Sequence, residues 1–267
     1  MELAVNLAER SELAFAILLL ASQLIAHEIG YRIGYQIRVR AAGQAESVGV
    51  VVGGMLALLA FVLALTLSYS TARFNERRHG TLTEANAIGT AWLRAKAIGT
   101  PQAEEIAQLL EDYAKVREDF VREGRDKTVM AQTNQQTTDL QKSIWSRVSS
   151  LVRERPDPVS AALMSSVNET FDAGTAERFA LGIRLPRQIF WLLVGVMHLS
   201  MAALGYQFGL RGKPVRLLIV LLTIVWTAVV VNILDLASAR VGSFRTDTSV
   251  YDWTLQTFKG FESTGAN

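Results

Sequence analysis

The chain has no cysteine and only three histidines in 267 residues. The first absence excludes disulfides, thiol chemistry and any cysteine-ligated zinc site; with so few histidines, no metal or cofactor is expected. Charge is scarce too, at 19% Asp, Glu, Lys and Arg, and long tracts carry none. The pI is about 9.0. Even so, the basic residues do not gather into the single face that a nucleic-acid-binding domain needs, so nucleic acid is not an expected partner. No P-loop, G-x-S-x-G or H-E-x-x-H motif occurs, and neither catalytic residues nor enzymatic activity are expected.

What the chain has in quantity is apolar sequence. Half of its residues are hydrophobic, and the mean hydropathy is positive. Crossing the roughly 30 Å hydrocarbon layer takes about 20 mostly apolar residues in a helix. Four stretches qualify: about Glu12 to Ile29, Val48 to Ser70, Gln188 to Leu210 and Val215 to Leu236. The fold expected is an all-α membrane protein with four transmembrane helices. Residues 1–72 hold spans one and two, 73–187 an extramembrane helical region, 188–236 spans three and four, and 237–267 a C-terminal tail. The first span has an acidic flank (Glu2, Glu9 and Glu12 against Arg10) and no A-x-A-like site, which reads as a retained anchor and not a cleaved signal.

Four spans put both termini and residues 73–187 on one side of the bilayer. The two short loops on the other side carry Arg32, Arg38, Arg40, Arg211, Lys213 and Arg216. The positive-inside rule then favours cytoplasmic short loops and an extracytoplasmic large region. Arg73, Arg77, Arg78, Arg184, Arg187, Arg240 and Arg245 near the other span ends argue the opposite way.

Residues 73–187 contain 17 basic and 16 acidic residues and show helical periodicity without strand-like alternation. Thr81 to Glu84, "TLTE", has capping-box spacing and predicts a helix start. Leu82, Ala85, Ile88, Trp92 and Ala95 would line its apolar face. Gly99 should stop that helix, with Thr100 and Pro101 opening the next. A third helix is expected over about Asp126 to Arg155, with Met130, Thr137, Ile144 and Leu151 on one seam. Asp157–Pro158 should begin a fourth.

Ionisable groups inside spans are costly and are functional suspects. His27, Glu28, His198 and Asp235 qualify. Asp235 ends the fourth span on the side where Arg73, Arg77 and Arg78 leave the second, so a structural ion pair at the membrane edge is expected. Gly49-x-x-x-Gly53 has the spacing that lets transmembrane helices approach closely.

The segment "ARFNERRHGTLTEANAIGTAWLRA", Ala72 to Ala95, resembles the signature of the bacterial bestrophin-like membrane proteins. That family carries an R-Y/F-D/N-x-R-R segment after its second span, matched by Arg73, Phe74, Asn75, Arg77 and Arg78. E-A-N-A-I-G-T-A-Y/W-L-R follows, matched by Glu84 through Arg94. "ILDLASARVGSFRTD", Ile233 to Asp247, resembles the family's ending in Asp235, Leu236 and Gly242. It departs where Ala237 replaces an acid and Ala239-Arg240 replaces Arg-Pro.

The resemblance implies kinship with bestrophins, which are oligomeric anion channels whose second spans surround a central pore. By analogy it implies a homo-oligomer, a pentamer, in a bacterial inner membrane, with the lipid bilayer and inorganic ions as further partners. Aligning Arg73 with the basic residue that ends the bestrophin second span puts Ala57, Phe61 and Leu65 at the pore neck. In bestrophins the large region is cytosolic, opposite to the charge-rule reading here. The other function considered is a non-conducting sensor or scaffold whose helical region binds a partner, suggested by the polar face of residues 126–139.

Overall fold

The structure, a computed structural model, describes residues 12–41, 43–123, 126–183, 185–238 and 244–265. Among them the chain forms eight helices and no strand: α1 (Glu12–Ile37), α2 (Ala45–Ile98), α3 (Pro101–Arg122), α4 (Lys127–Glu154), α5 (Pro158–Gly182), α6 (Arg187–Arg211), α7 (Arg216–Ala237) and α8 (Ser249–Gly265). It is an all-α membrane protein, with four helical segments long and apolar enough to cross a bilayer. The chain divides into two compact units. One comprises Met1–Ala72 with Arg184–Ser238, the other Arg73–Ile183 with Ala239–Asn267.

The first unit holds α1, the apolar part of α2, α6 and α7. Phe15 and Leu19 of α1, Leu59 and Leu63 of α2, Phe190, Leu193 and Met197 of α6, and Val230 and Ile233 of α7 form a shared core. Inside a bilayer, buried polar groups must bond to protein. Gln23 Nε2 on α1 accordingly donates to Thr227 Oγ1 on α7 at 2.9 Å.

The first span runs to Ile37, past the Ile29 expected from hydropathy. The extension packs against α6, and glycines on both helices allow it. A Cβ on Gly30 or Gly34 would overlap the carbonyl oxygen of Ala202 or Tyr206. One on Gly205 or Gly209 would overlap that of His27 or Tyr31. Two glycine pairs at i, i+4 thus bring the backbones into direct contact.

The second unit is a helical bundle around the C-terminal part of α2. Its core takes Ile88 and Trp92 from α2, Ile106 and Leu110 from α3, Ile144 and Val148 from α4, Leu163 and Val167 from α5, and Tyr251 and Phe258 from α8. The expected helix boundaries after residue 98 are present. Gly99 takes a positive φ of 68°, and the Thr100 side chain accepts from the Ala103 N–H before Pro101. Asp126 caps α4 and Asp157 caps α5. The seam on α4 faces inward at Thr137, Ile144 and Leu151.

The helix start expected at Thr81–Glu84 does not exist. α2 is one helix of 54 residues, about 80 Å long at 1.5 Å per residue. No proline interrupts residues 45–98, and Gly80, beside the expected start, costs a helix only about 1 kcal/mol. Thr81 is mid-helix, and its hydroxyl lies 3.0 Å from the Arg77 carbonyl one turn back. Glu84 is engaged by other helices and does not fold back to cap its own.

Candidate functional site

Ala57, Phe61 and Leu65 lie on one face of α2, and all three are exposed in the single chain. Phe61 is 59% and Leu65 54% exposed, while Leu59 and Leu63 on the opposite side are buried. Only 17% of the most apolar stretch of α2 is buried, against 28% to 39% for the other three spans. In one copy of the chain, then, the second span has the smallest buried share of the four. Gly53 faces open space, whereas a Cβ on Gly49 would meet the end of the Gln207 side chain. The close glycine contact falls at Gly30, Gly34, Gly205 and Gly209, which repeat the same i, i+4 spacing elsewhere in the sequence.

Of the ionisable residues singled out in the spans, Glu28 and His198 have local partners, whereas His27 is buried and its Nε2 has none among the described residues. Glu28 pairs with Arg32 at 2.9 Å. His198 donates from Nδ1 to the Val194 carbonyl at 2.8 Å, and its Nε2 lies 2.9 Å from Ser22 Oγ. Asn232 donates to the Ala228 carbonyl. Asp235 is buried at the end of α7 and belongs to the first unit, whereas Arg73, Arg77 and Arg78 belong to the second. Arg73 Nη1 donates to Glu76 Oε2 at 2.6 Å. The guanidiniums of Arg77 and Arg78 each lie 5.9 Å from the Phe74 ring. Ala239, Arg240 and Gly242 of the second motif lie outside the described residues.

The second unit contains a polar cluster that the sequence reading did not single out. Glu84, fully buried, accepts two bonds from Arg117, Nε to Oε1 at 2.5 Å and Nη2 to Oε2 at 3.0 Å. Tyr251 on α8 donates to Oε2 at 2.7 Å, and Tyr113 lies 3.5 Å from Oε1. A Cβ on Gly174 of α5 would crowd the Tyr113 hydroxyl and Glu84 Oε1. A bidentate guanidinium–carboxylate pair is geometrically demanding, and removal of either partner strands the other charge. Burial and then the Glu84 charge push the hydroxyls of Tyr113 and Tyr251 up, so both stay neutral. Burial works against the charged form of Arg117, but the Glu84 carboxylate outweighs it and the guanidinium's pKa rises.

Eight residues further along α2, Trp92 stacks on Phe258 with ring centroids 4.4 Å apart. Its Nε1 donates to Glu111 at 2.9 Å. Arg94 donates to the Ala162 carbonyl at 2.7 Å. The segment Glu84 to Arg94 is therefore the strip of α2 on which α3, α5 and α8 are anchored. Spacing foretold the buried positions Ala85, Ile88, Trp92 and Ala95, but not Leu82, which is exposed. It could not foretell Arg117, which is 33 residues away.

A four-span, all-α membrane protein with a helical bundle inserted after its second span is the class these features define. The Bestrophin-like domain profile matches residues 17–251, and the chain belongs to that family. A solved crystal structure of a membrane protein, a point variant, shares the fold with a TM-score of 0.63 at 12% identity. The alignment covers 89% of this chain and 96% of that one. No curated protein matches the sequence.

Proposed function

We propose that the chain assembles into an oligomeric ion channel of bestrophin type that conducts anions, with α2 from each copy facing the pore. One observation carries the reading: the second span, least buried of the four, turns Ala57, Phe61 and Leu65 outward on a single stripe. Membership of the Bestrophin-like family supports it.

Repeated around a symmetry axis, this stripe makes stacked rings of methyl, phenyl and isobutyl groups. Apolar rings of this kind close a pore to ions by dewetting, with no steric plug. The assembly sits in a bacterial inner membrane, as a pentamer by analogy. The charge of the short loops favours an extracytoplasmic second unit. The test is current recording from the purified protein in planar bilayers under asymmetric chloride salt. Discrete currents reversing towards the chloride equilibrium potential are expected, and Phe61→Ala should raise the open fraction. Silence in every salt tried would sink the proposal.

A further inference from the structure

Glu177 on α5 is fully buried in the second unit, apart from the Glu84–Arg117 pair. Its Oε1 lies 2.6 Å from Thr81 Oγ1 on α2. Its Oε2 has no hydrogen-bond partner among the described residues. That oxygen sits against Gly80, where a Cβ would overlap it. The Thr81 hydroxyl carries one hydrogen but has two acceptors in reach, Glu177 Oε1 and the Arg77 carbonyl at 3.0 Å. If Glu177 is ionised, that hydrogen makes a charge-assisted bond to Oε1, but the charge on Oε2 stays buried without a partner among the described residues. If Glu177 carries a proton on Oε1, the carboxyl donates to Thr81 and Thr81 donates to the carbonyl, so both bonds form.

We propose that Glu177 is a proton-binding site that latches α5 to α2: protonated, it holds Thr81 with no buried charge, and ionised, it leaves a charged Oε2 buried without a partner against Gly80, which loosens α5 from α2. The groups that act on it come from each helix of the cluster. α2 contributes Arg77 and Glu84, α3 contributes Arg117, and α8 contributes Tyr251; Tyr113 on α3 faces Glu84 beside them. α4 contributes the neutral Gln141, which reaches Tyr113. Both Nε and Nη2 of Arg117 are committed to Glu84. Burial pushes the Glu177 carboxyl up to about 7; the Glu84 charge adds to this, while the Thr81 hydrogen bond and the charges of Arg117 and Arg77 oppose it. The latch is therefore set near neutral pH, and it holds whether or not the protein conducts.

Two measurements on the full chain in detergent micelles test this. Infrared titration should show a protonated-carboxyl band that disappears near pH 7. Glu177→Gln should abolish it. Thr81→Val should move its midpoint to higher pH, because the hydroxyl bond favours the charged form. Hydrogen exchange, corrected for intrinsic rates, should show protection of residues 77–84 and 170–181 falling on the order of 100-fold as pH rises towards 7, then levelling off. Glu177→Gln should remain protected throughout. A band that persists in Glu177→Gln, or protection that is flat with pH in the wild type, would overturn the proposal. If Glu177→Gln does not fold, the Thr81→Val titration decides, and an unmoved midpoint overturns it.

Discussion

Glu84 illustrates how little a side chain's role depends on its neighbours in sequence. Its spacing from Thr81 suggests a capping box, yet both residues lie mid-helix and bond to other helices. Glu84→Ala should cost about 3–5 kcal/mol, because it leaves Arg117 charged and buried without its partner. The apparent Tm of the purified protein in detergent should fall accordingly. Trp92→Ala should cost a similar ~3–5 kcal/mol, since it empties the stacking site of Phe258. Glu177 makes stability depend on pH in a defined direction. Its folded pKa is raised from 4.5 to about 7, so its contribution is complete below 4.5 and is lost as pH rises towards 7. The loss is about 3 kcal/mol if the unfolded state titrates normally. A Tm that rose over this interval would contradict the assignment. Trp92's place on the apolar face was legible from spacing, but the partners of Glu84, Trp92 and Glu177 were not, because each is brought in by tertiary packing.

At the scale of elements, sequence was a better guide, for reasons the helices make plain. Long apolar runs revealed the four spans, and Thr100–Pro101, Asp126 and Asp157–Pro158 marked helix starts through local hydrogen bonds that need no tertiary context. The close contact between α1 and α6 was harder. Gly49/Gly53, Gly30/Gly34 and Gly205/Gly209 share one spacing, and spacing does not say which glycines meet another backbone. A substitution series separates them. Gly30→Ala and Gly205→Ala should each destabilise the protein by about 1–3 kcal/mol through overpacking. Gly53→Ala, which faces open space in one chain, should not destabilise the monomer and should gain up to about 1 kcal/mol of helix propensity. Thermal unfolding of the three variants in the same detergent checks the ranking. α8, in a stretch read from sequence only as a tail, brings Tyr251 to Glu84 and Phe258 to Trp92.

For the whole molecule, the uncovered apolar face of α2 is the feature on which the proposed function turns. Against lipid it would be an ordinary membrane surface. Around an axis it would be the wall of a pore. The absence of cysteine makes the distinction accessible, since any introduced thiol is unique in the chain. The decisive measurement is bilayer recording of Phe61→Cys during exposure to a charged thiol reagent, with Leu18→Cys, exposed on α1, as the control. The account predicts that modification at position 61 changes the single-channel current, while the control and the unsubstituted chain are unaffected. Conducting channels whose current is untouched by modification at position 61 would contradict it.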